Sequence, residues 1–414
     1  MRILFLTNYY PPYEVGGYEQ LCRDMVVALS ARGHVCEVLT STRGVTAGAP
    51  AEQGIHRALH IQPDYGSRLH PALQFLFTRR REERENLAAF RAVSARFRPE
   101  VVFVWNILGF PRSLLMAAEA LPGVTVAYWL AGYSPLDADG FWSYWQETSE
   151  RAKLQGLLRR VFGGWALRIL RAEGKPERTR LAHVAVVSDY MRRKGVQAGL
   201  LPESAEVIYN GVEVDLFTAS RSQAGRPLRL LFAGRLSEDK GPQVAIEAMN
   251  HLVHCLGLRV ARLTIVGSGP SAFEAALKAR VSTLGLGEHV TFQGWQPRER
   301  IPAIMAEHDV FLLCTSHQEP FARVVLEAMA SGMVVVGTLT GGTGEILVED
   351  VTGLTFGAGD SEALARQVMR LADDSALWQR LSSEGQRVVR ERYSMEHMVE
   401  RIEQFLRDAA GKHE

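Results

Sequence analysis

The chain has 414 residues, is 47% hydrophobic and 22% charged, and carries a net charge of +1. These are ordinary globular values, the near-neutral charge gives no footprint for nucleic acid, and the length exceeds what one core usually supports, so two domains are expected. No apolar run reaches the ~20 residues that a membrane-spanning helix requires. Four cysteines, Cys22, Cys36, Cys255 and Cys314, lack metal-ligand spacing and have apolar neighbours. They are expected to be reduced, buried thiols of a cytoplasmic protein. The opening MRILFLTNYYPP passes from a short apolar strand into a proline turn, which is not the pattern of a signal peptide.

In chain order, residues 3–7 form an apolar run, followed by a loop with Pro11 and Pro12 and a helical stretch over about 19–32 that Gly33 ends. Further β-rich runs occupy 35–40, 101–105, 124–129 and 182–188. The pattern restarts at 229–234 and continues through 263–267, 290–292, 310–314 and 334–336. Continuous apolar strands alternating with helices predict parallel sheets covered on both faces. The polar segment 218–227 is the predicted linker, and a final helix over about 394–410 carries the apolar stripe Met398, Ile402, Phe405 and Leu406. The prediction is an α/β protein with two Rossmann-like domains, 1–217 and 228–393, facing each other across a cleft.

Ligands of such sheets bind beyond the carboxyl ends of strands. After the first strand, Gly16 and Gly17 precede a helix, where backbone can approach an anion closely. After the first strand of the second half, Arg235 and Lys240 bracket a loop bounded by Gly234 and Gly241, which suits a diphosphate. The Gly267-Ser268-Gly269-Pro270 turn is half a dinucleotide fingerprint without its third glycine. An oxidoreductase using that loop would be a rival reading.

Glu319 and Glu327 stand eight residues apart. Val324, Val325, Leu326, Ala328 and Met329 leave almost no polar face, so Glu327 is expected to be partly buried and to need a partner. Were the whole span helical, the two carboxylates would lie about 12 Å apart. The layout fits a nucleotide-sugar: Glu319 toward the sugar, the helix start near Phe321–Val324 toward the diphosphate, and Glu327 toward the ribose.

Together these motifs resemble the family 4 retaining glycosyltransferases of the GT-B fold along nearly the whole chain. The resemblance is carried by the Gly16-Gly17 loop with Glu19, the phrase Arg32-Gly33-His34-Val35, and Asn210-Gly211-Val212 ahead of Asp215 and Phe217. It continues in Gly-Arg-Leu…Lys-Gly at 234–241, Val-Gly-Ser-Gly-Pro at 266–270 and Gly-Gly-Thr-Gly-Glu at 341–345. Its most specific part is Glu-x7-Glu at 319–327. The resemblance implies an enzyme that moves a sugar from a nucleoside-diphosphate donor to a hydroxyl acceptor, with retention and without a metal or other cofactor. Arg235 and Lys240 would neutralise the leaving diphosphate, and Gly17 would approach its phosphates. Glu319 would hold the transferred sugar, and Glu327 the ribose. Gly294, Trp295 and Gln296 would border the base, while Gly16, Gly234, Gly267, Phe321, Ala322, Arg323 and Val324 complete the donor side. Asn106, Trp129 and Tyr133 are the acceptor-side candidates. The first domain would bind the acceptor, the second the nucleotide-sugar, and the helix 394–414 would pack back on the first.

Two positions depart from the family pattern. Ala322 stands where a glycine is usual, and the loop Tyr128-Trp129-Leu130-Ala131-Gly132-Tyr133 lacks the usual histidine. A catalytically silent sugar-nucleotide-binding subunit and a sugar-nucleotide epimerase of the same fold therefore remain as alternatives. Asp137 and Asp139 match an Asp-x-Asp metal motif but sit in a Pro/Gly-rich stretch, and His34 is read as a structural turn residue. Residues 68–98 hold eight arginines against three glutamates, and 151–180 hold nine basic residues against two glutamates. In the second segment an apolar face of Leu154, Leu157, Leu158, Val161, Phe162 and Trp165 keeps helical spacing, so a peripheral contact with an anionic membrane stands beside inward packing as a reading.

Overall fold

The computed structural model describes residues 1–13, 16–44, 52–64, 71–106, 108–132, 140–146, 153–173, 179–217 and 228–411, the side chains of 153–160 excepted. It divides into two compact units. One comprises Met1–Val186, Arg192–Val207 and Arg401–Glu414, and the other Val187–Met191 and Ile208–Glu400. The predicted linker 218–227 and the Asp137/Asp139 pair lie outside the described residues.

The first unit is built on a parallel sheet of seven strands: β1 (Arg2–Thr7), β2 (Val35–Ser41), β3 (Ile55–Leu59), β4 (Val101–Asn106), β5 (Thr125–Leu130), β6 (His183–Val186) and β7 (Glu206–Val207). Their order is β3-β2-β1-β4-β5-β6-β7. The inner strands β1, β4 and β5 are buried along nearly their whole length, so their sequences show apolar runs without alternation. The edge strand β3, absent from the sequence reading, is Ile-His-Arg-Ala-Leu and only half-buried. Its His56 pairs with Glu37 of β2 at 2.7 Å, and Arg57 donates to the carbonyl of Tyr10 at 3.1 Å.

The second unit repeats the plan with β8 (Arg229–Ala233), β9 (Arg262–Val266), β10 (Val290–Gly294), β11 (Val310–Leu313), β12 (Val334–Thr338) and β13 (Gly353–Phe356), all parallel. The order β10-β9-β8-β11-β12-β13 is the doubly wound 3-2-1-4-5-6 arrangement. Its core joins Leu230, Phe232, Ile265, Leu312 and Val336 of the strands to Ile246, Val368 and Trp378 of the covering helices.

The helix Met395–Gly411 contributes its residues from Arg401 onward to the first unit. There Glu403 receives Arg32 Nη1 and His34 Nε2, each at 3.0 Å. Arg407, His34 and Arg32 together hold the Glu403 carboxyl down at about 2. His34 is thus a buried structural partner of this helix. Cys22 and Cys314 are buried as expected, but Cys36 is only half-buried and Cys255 is exposed. Cys255 closes the turn His251–Cys255, whose inward residues are Leu252 and Val253.

A small second core in the first unit gathers Ala72, Phe75, Phe141, Tyr144, Trp145, Ala166 and Leu170. It fixes the helix Lys153–Ala172 through Ala166 and Leu170, yet Val161, Phe162 and Trp165 of the same helix stay 62%, 36% and 51% exposed. Among the described residues no helix is long and apolar enough to cross a membrane.

Candidate active site

In a doubly wound sheet the ligand crevice opens where the strand order reverses, because the flanking connections leave to opposite faces. In the second unit that point lies between β8 and β11, which are hydrogen-bonded neighbours. The loops leaving these two strands carry Arg235–Lys240 and Cys314–Glu319. Topology alone therefore unites residues about 80 positions apart. Lys240 Nζ donates to Glu319 Oε1, and the two side chains are 27% and 14% exposed. Lys240, expected at the diphosphate, and Glu319, expected at the sugar, are thus in direct contact.

Backbone contacts lock this arrangement. The Asp239 carbonyl accepts Ser316 N at 2.9 Å and Thr315 Oγ1 at 3.1 Å. Gly241 has φ +75°, and a Cβ there would stand 2.2 Å from the Cys314 carbonyl oxygen, so only glycine lets the two loops touch. Arg235 is the outermost cation, 68% exposed, with Asp239 at 3.7 Å.

The Gly267-Ser268-Gly269 turn has a similar explanation. A Cβ on Gly267 would fall 1.8 Å from the Gly234 carbonyl oxygen, and one on Gly269 would fall 1.9 Å from that of Leu236. Leu236 N donates to Ser268 O at 2.9 Å. These glycines thus bring the β8 and β9 loops to backbone contact, and the oxidoreductase reading loses its main motif. Gly267 N in turn donates to Gly294 O at 2.8 Å, beside the 70% exposed Trp295.

Behind Glu319 stands a support that sequence reading did not see. Gly342 N donates to Glu319 O at 2.8 Å, and Gly341 N to Gln318 Oε1 at 3.0 Å. Gln318 also accepts Tyr190 Oη at 3.0 Å. Glu345 caps the helix Asp189–Gln197, accepting Asp189 N at 2.9 Å and Tyr190 N at 2.8 Å. Phe321 packs between Tyr209 and Tyr393, with ring centroids 5.3 and 5.8 Å away. Burial, then the nearby Glu345 carboxylate, pushes the Tyr209 phenol well above its ordinary value. The signal for this support was the glycine pair at the carboxyl end of β12.

The helix that follows is Arg323–Ala330. Ala322 precedes it with φ −81°, a conformation open to any L-residue, so alanine needs no backbone strain here. Glu327 is 16% exposed, matching its expected partial burial, and its partner is Arg323 one turn earlier, 3.4 Å away. Val324, also on the first turn, is half-buried.

The first unit places the remaining candidates differently. Gly16 and Gly17 are exposed at the start of the helix Gly17–Ala31, and Glu19 Oε2 accepts Gly16 N at 3.0 Å, fixing that turn. Among the described residues a Cβ on Gly16 would meet nothing within 4 Å. Asn106 ends β4, and its side chain closes the next turn by accepting Leu108 N at 3.0 Å. Trp129 does not fit an acceptor contact. It is fully buried in β5, 4.3 Å from Trp105 and 6.0 Å from Tyr18 by ring centroids, and it packs the sheet. Tyr133 lies outside the described residues.

Two family models match in succession: Glycosyltransferase Family 4 over residues 15–216 and Glycosyl transferases group 1 over residues 217–388. The chain belongs to the group 1, family 4 glycosyltransferases, whose architecture is the GT-B fold. The amylovoran biosynthesis glycosyltransferase AmsK of Erwinia amylovora is 33% identical over 196 residues, 46% of this chain and 47% of that protein. A phosphatidyl-myo-inositol mannosyltransferase of Mycobacterium leprae is 33% identical over 208 residues, 49% of this chain and 53% of that protein. The chain spans about half the length of the curated relatives it matches. Among solved structures, Anabaena HepE in complex with UDP superposes with a TM-score of 0.68 at 20% identity, over 99% of this chain and 100% of that one. That likeness is one of fold.

Proposed function

We propose that the chain transfers a sugar from a nucleoside-diphosphate sugar to a hydroxyl acceptor, retaining the anomeric configuration. The observation that carries this reading is the Lys240–Glu319 pair at the reversal point of the second sheet, with Arg235 beside it. A carboxylate partly withdrawn from water can bind sugar hydroxyls, and the two cations can meet the charge that grows on a departing diphosphate. Trp295 offers an aromatic face for a base. HepE is seen with UDP and with UDP-glucose, which supports a nucleotide-sugar as donor. The acceptor hydroxyl would attack from the side on which the diphosphate leaves, so no covalent protein intermediate is required.

The test is a thermal-shift screen of the full chain against UDP, GDP, ADP and their sugars. A ligand at ~100 times its Kd adds roughly 2.7 kcal/mol, a clear rise in Tm. If none of these ligands shifts the Tm, the donor assignment fails. Because Lys240 and Arg235 supply the positive charge, donor turnover is expected to persist in excess chelator. Complete loss in EDTA, restored by Mg²⁺ or Mn²⁺, would overturn the metal-independent reading.

The 128–133 loop, with no histidine, favours a second reading as a silent donor-binding subunit. A Tm shift without transfer or donor hydrolysis would select it. Release of an altered sugar without an acceptor would select an epimerase.

Peripheral attachment to an anionic membrane is also proposed, on the exposed Val161, Phe162 and Trp165 beside the exposed Arg168. The protein should cosediment with vesicles containing phosphatidylglycerol at low salt, leave them at high salt, and lose most binding in a Phe162→Ser/Trp165→Ser variant. Equal sedimentation of the variant would assign the attachment elsewhere.

A further inference from the structure

The first unit holds a cavity of about 330 Å³ that the donor assignment does not use. That volume lies at the lower end of small-molecule sites, roughly 300–1,000 Å³, and suits a ligand the size of one sugar. The cavity sits beyond the carboxyl ends of β3 and β4, since Gln62 follows the first strand and Pro111–Ser113 follow the second. This is the sheet edge where doubly wound domains bind ligands.

Its walls carry a formal excess of one positive charge. Arg79, Arg80 and Arg112 line it against two carboxylates, Glu83 and Glu173. Arg79 Nη2 and Arg80 Nη2 share a single oxygen, Glu173 Oε1, at 2.5 and 3.1 Å. Arg79 is 12% exposed, and its Nε is buried with no acceptor among the described residues. Glu83 is engaged by Ser113 Oγ. One carboxylate oxygen thus serves two guanidiniums, and the lining keeps a positive excess. Arg112 and Ser113 also begin the helix Arg112–Glu119, whose N-terminal end favours an anion. Phe141 and Trp142 add an aromatic surface to the same cavity.

We propose that this cavity binds the anionic part of the acceptor: a phosphate or carboxylate carried on or beside a sugar ring. The guanidiniums would take the anion through paired N–H donors, and Trp142 the apolar face of the ring. The proposal rests on the reading of the chain as a glycosyltransferase, and it narrows the acceptor from any hydroxyl compound to an acidic one.

The test is isothermal titration of the full chain, with and without saturating UDP, using glucose 1-phosphate, glucuronate, inorganic phosphate and methyl glucoside. At least one acidic sugar should bind tenfold or more tightly than methyl glucoside, and comparison of the two identifies phosphate or carboxylate. The Arg80→Gln/Arg112→Gln variant should weaken that binding tenfold or more while UDP binding stays unchanged; Arg80 is suitable because it is 76% exposed. Trp142→Ala should weaken glucose 1-phosphate more than inorganic phosphate. Equal binding of acidic and neutral sugars, or an undiminished affinity in the double variant, would overturn the assignment. Failure of UDP, GDP and ADP alike to bind while the acidic sugar still binds would remove the donor reading and leave the cavity assignment standing.

Discussion

A Lys240→Ala variant is expected to stay folded and to lose about 100- to 1000-fold in kcat, equivalent to roughly 3–4 kcal/mol. The side chain is 27% exposed and contributes nothing to a hydrophobic core, so the loss should be chemical. In the described geometry its charge rests on Glu319. On the proposed reading a departing diphosphate would build its negative charge within reach of the same ammonium, so the cation would gain value only as the bond breaks. Arg235→Ala should also lower kcat. Because both cations would answer one diphosphate, the double variant should lose less than the product of the singles. Arg235→Lys should rescue only in part, since a point charge replaces a planar fork. Glu319→Ala should abolish most transfer in a folded protein, since it would remove the proposed sugar contact and release Lys240. Steady-state transfer and nucleoside-diphosphate binding on these variants provide the measurement. Normal kcat and normal diphosphate binding in both single cation variants would reduce the 234–241 loop to a surface turn.

Gly241→Ala is expected to destabilise the second unit by about 3 kcal/mol and to abolish nucleotide binding. The new methyl would stand 2.2 Å from a main-chain oxygen of Cys314, an atom that cannot turn aside as a flexible side chain could. The loops after β8 and β11 would have to separate, taking Lys240 from Glu319. Gly257→Ala is the matched control, because its φ is a similar +73° but among the described residues nothing lies within 4 Å of its added Cβ. Only the left-handed penalty of about 1–2 kcal/mol should appear there. Urea unfolding of both variants, followed by UDP binding, separates clash from strain. Equal destabilisation with nucleotide binding intact would show that the loops do not need their close approach.

Sequence reading saw the inner strands because burial on both faces demands unbroken apolar runs, as in Val101–Val104 and Val334–Val336. It missed β3, β7 and β13. The first carries His56 and Arg57, whose partners lie on other segments, and the second has only two residues. Glu327 was expected to be partly withdrawn from water, and it is, but its partner Arg323 was available in the sequence as a neighbour one turn away. The Lys240–Glu319 contact was not legible, because it depends on β8 and β11 being adjacent. Trp129 misled for a related reason. A tryptophan near the end of a strand can face a ligand or the core, and only the positions of Trp105 and Tyr18 decide between them.

Gly241, Gly267, Gly269 and Gly341 share one property: the space for a side chain on each is occupied by a carbonyl oxygen of another loop, of Cys314, Gly234, Leu236 and Glu319 respectively. At these four points the loops on this edge of the second sheet therefore rest main chain on main chain. Exchange of an outward-facing residue between them, such as the exposed Trp295, would alter what the surface presents without altering where the loops stand. Single substitutions there can thus be tried on an unmoved scaffold, whereas a side chain on any of the four glycines would have to displace a main-chain oxygen.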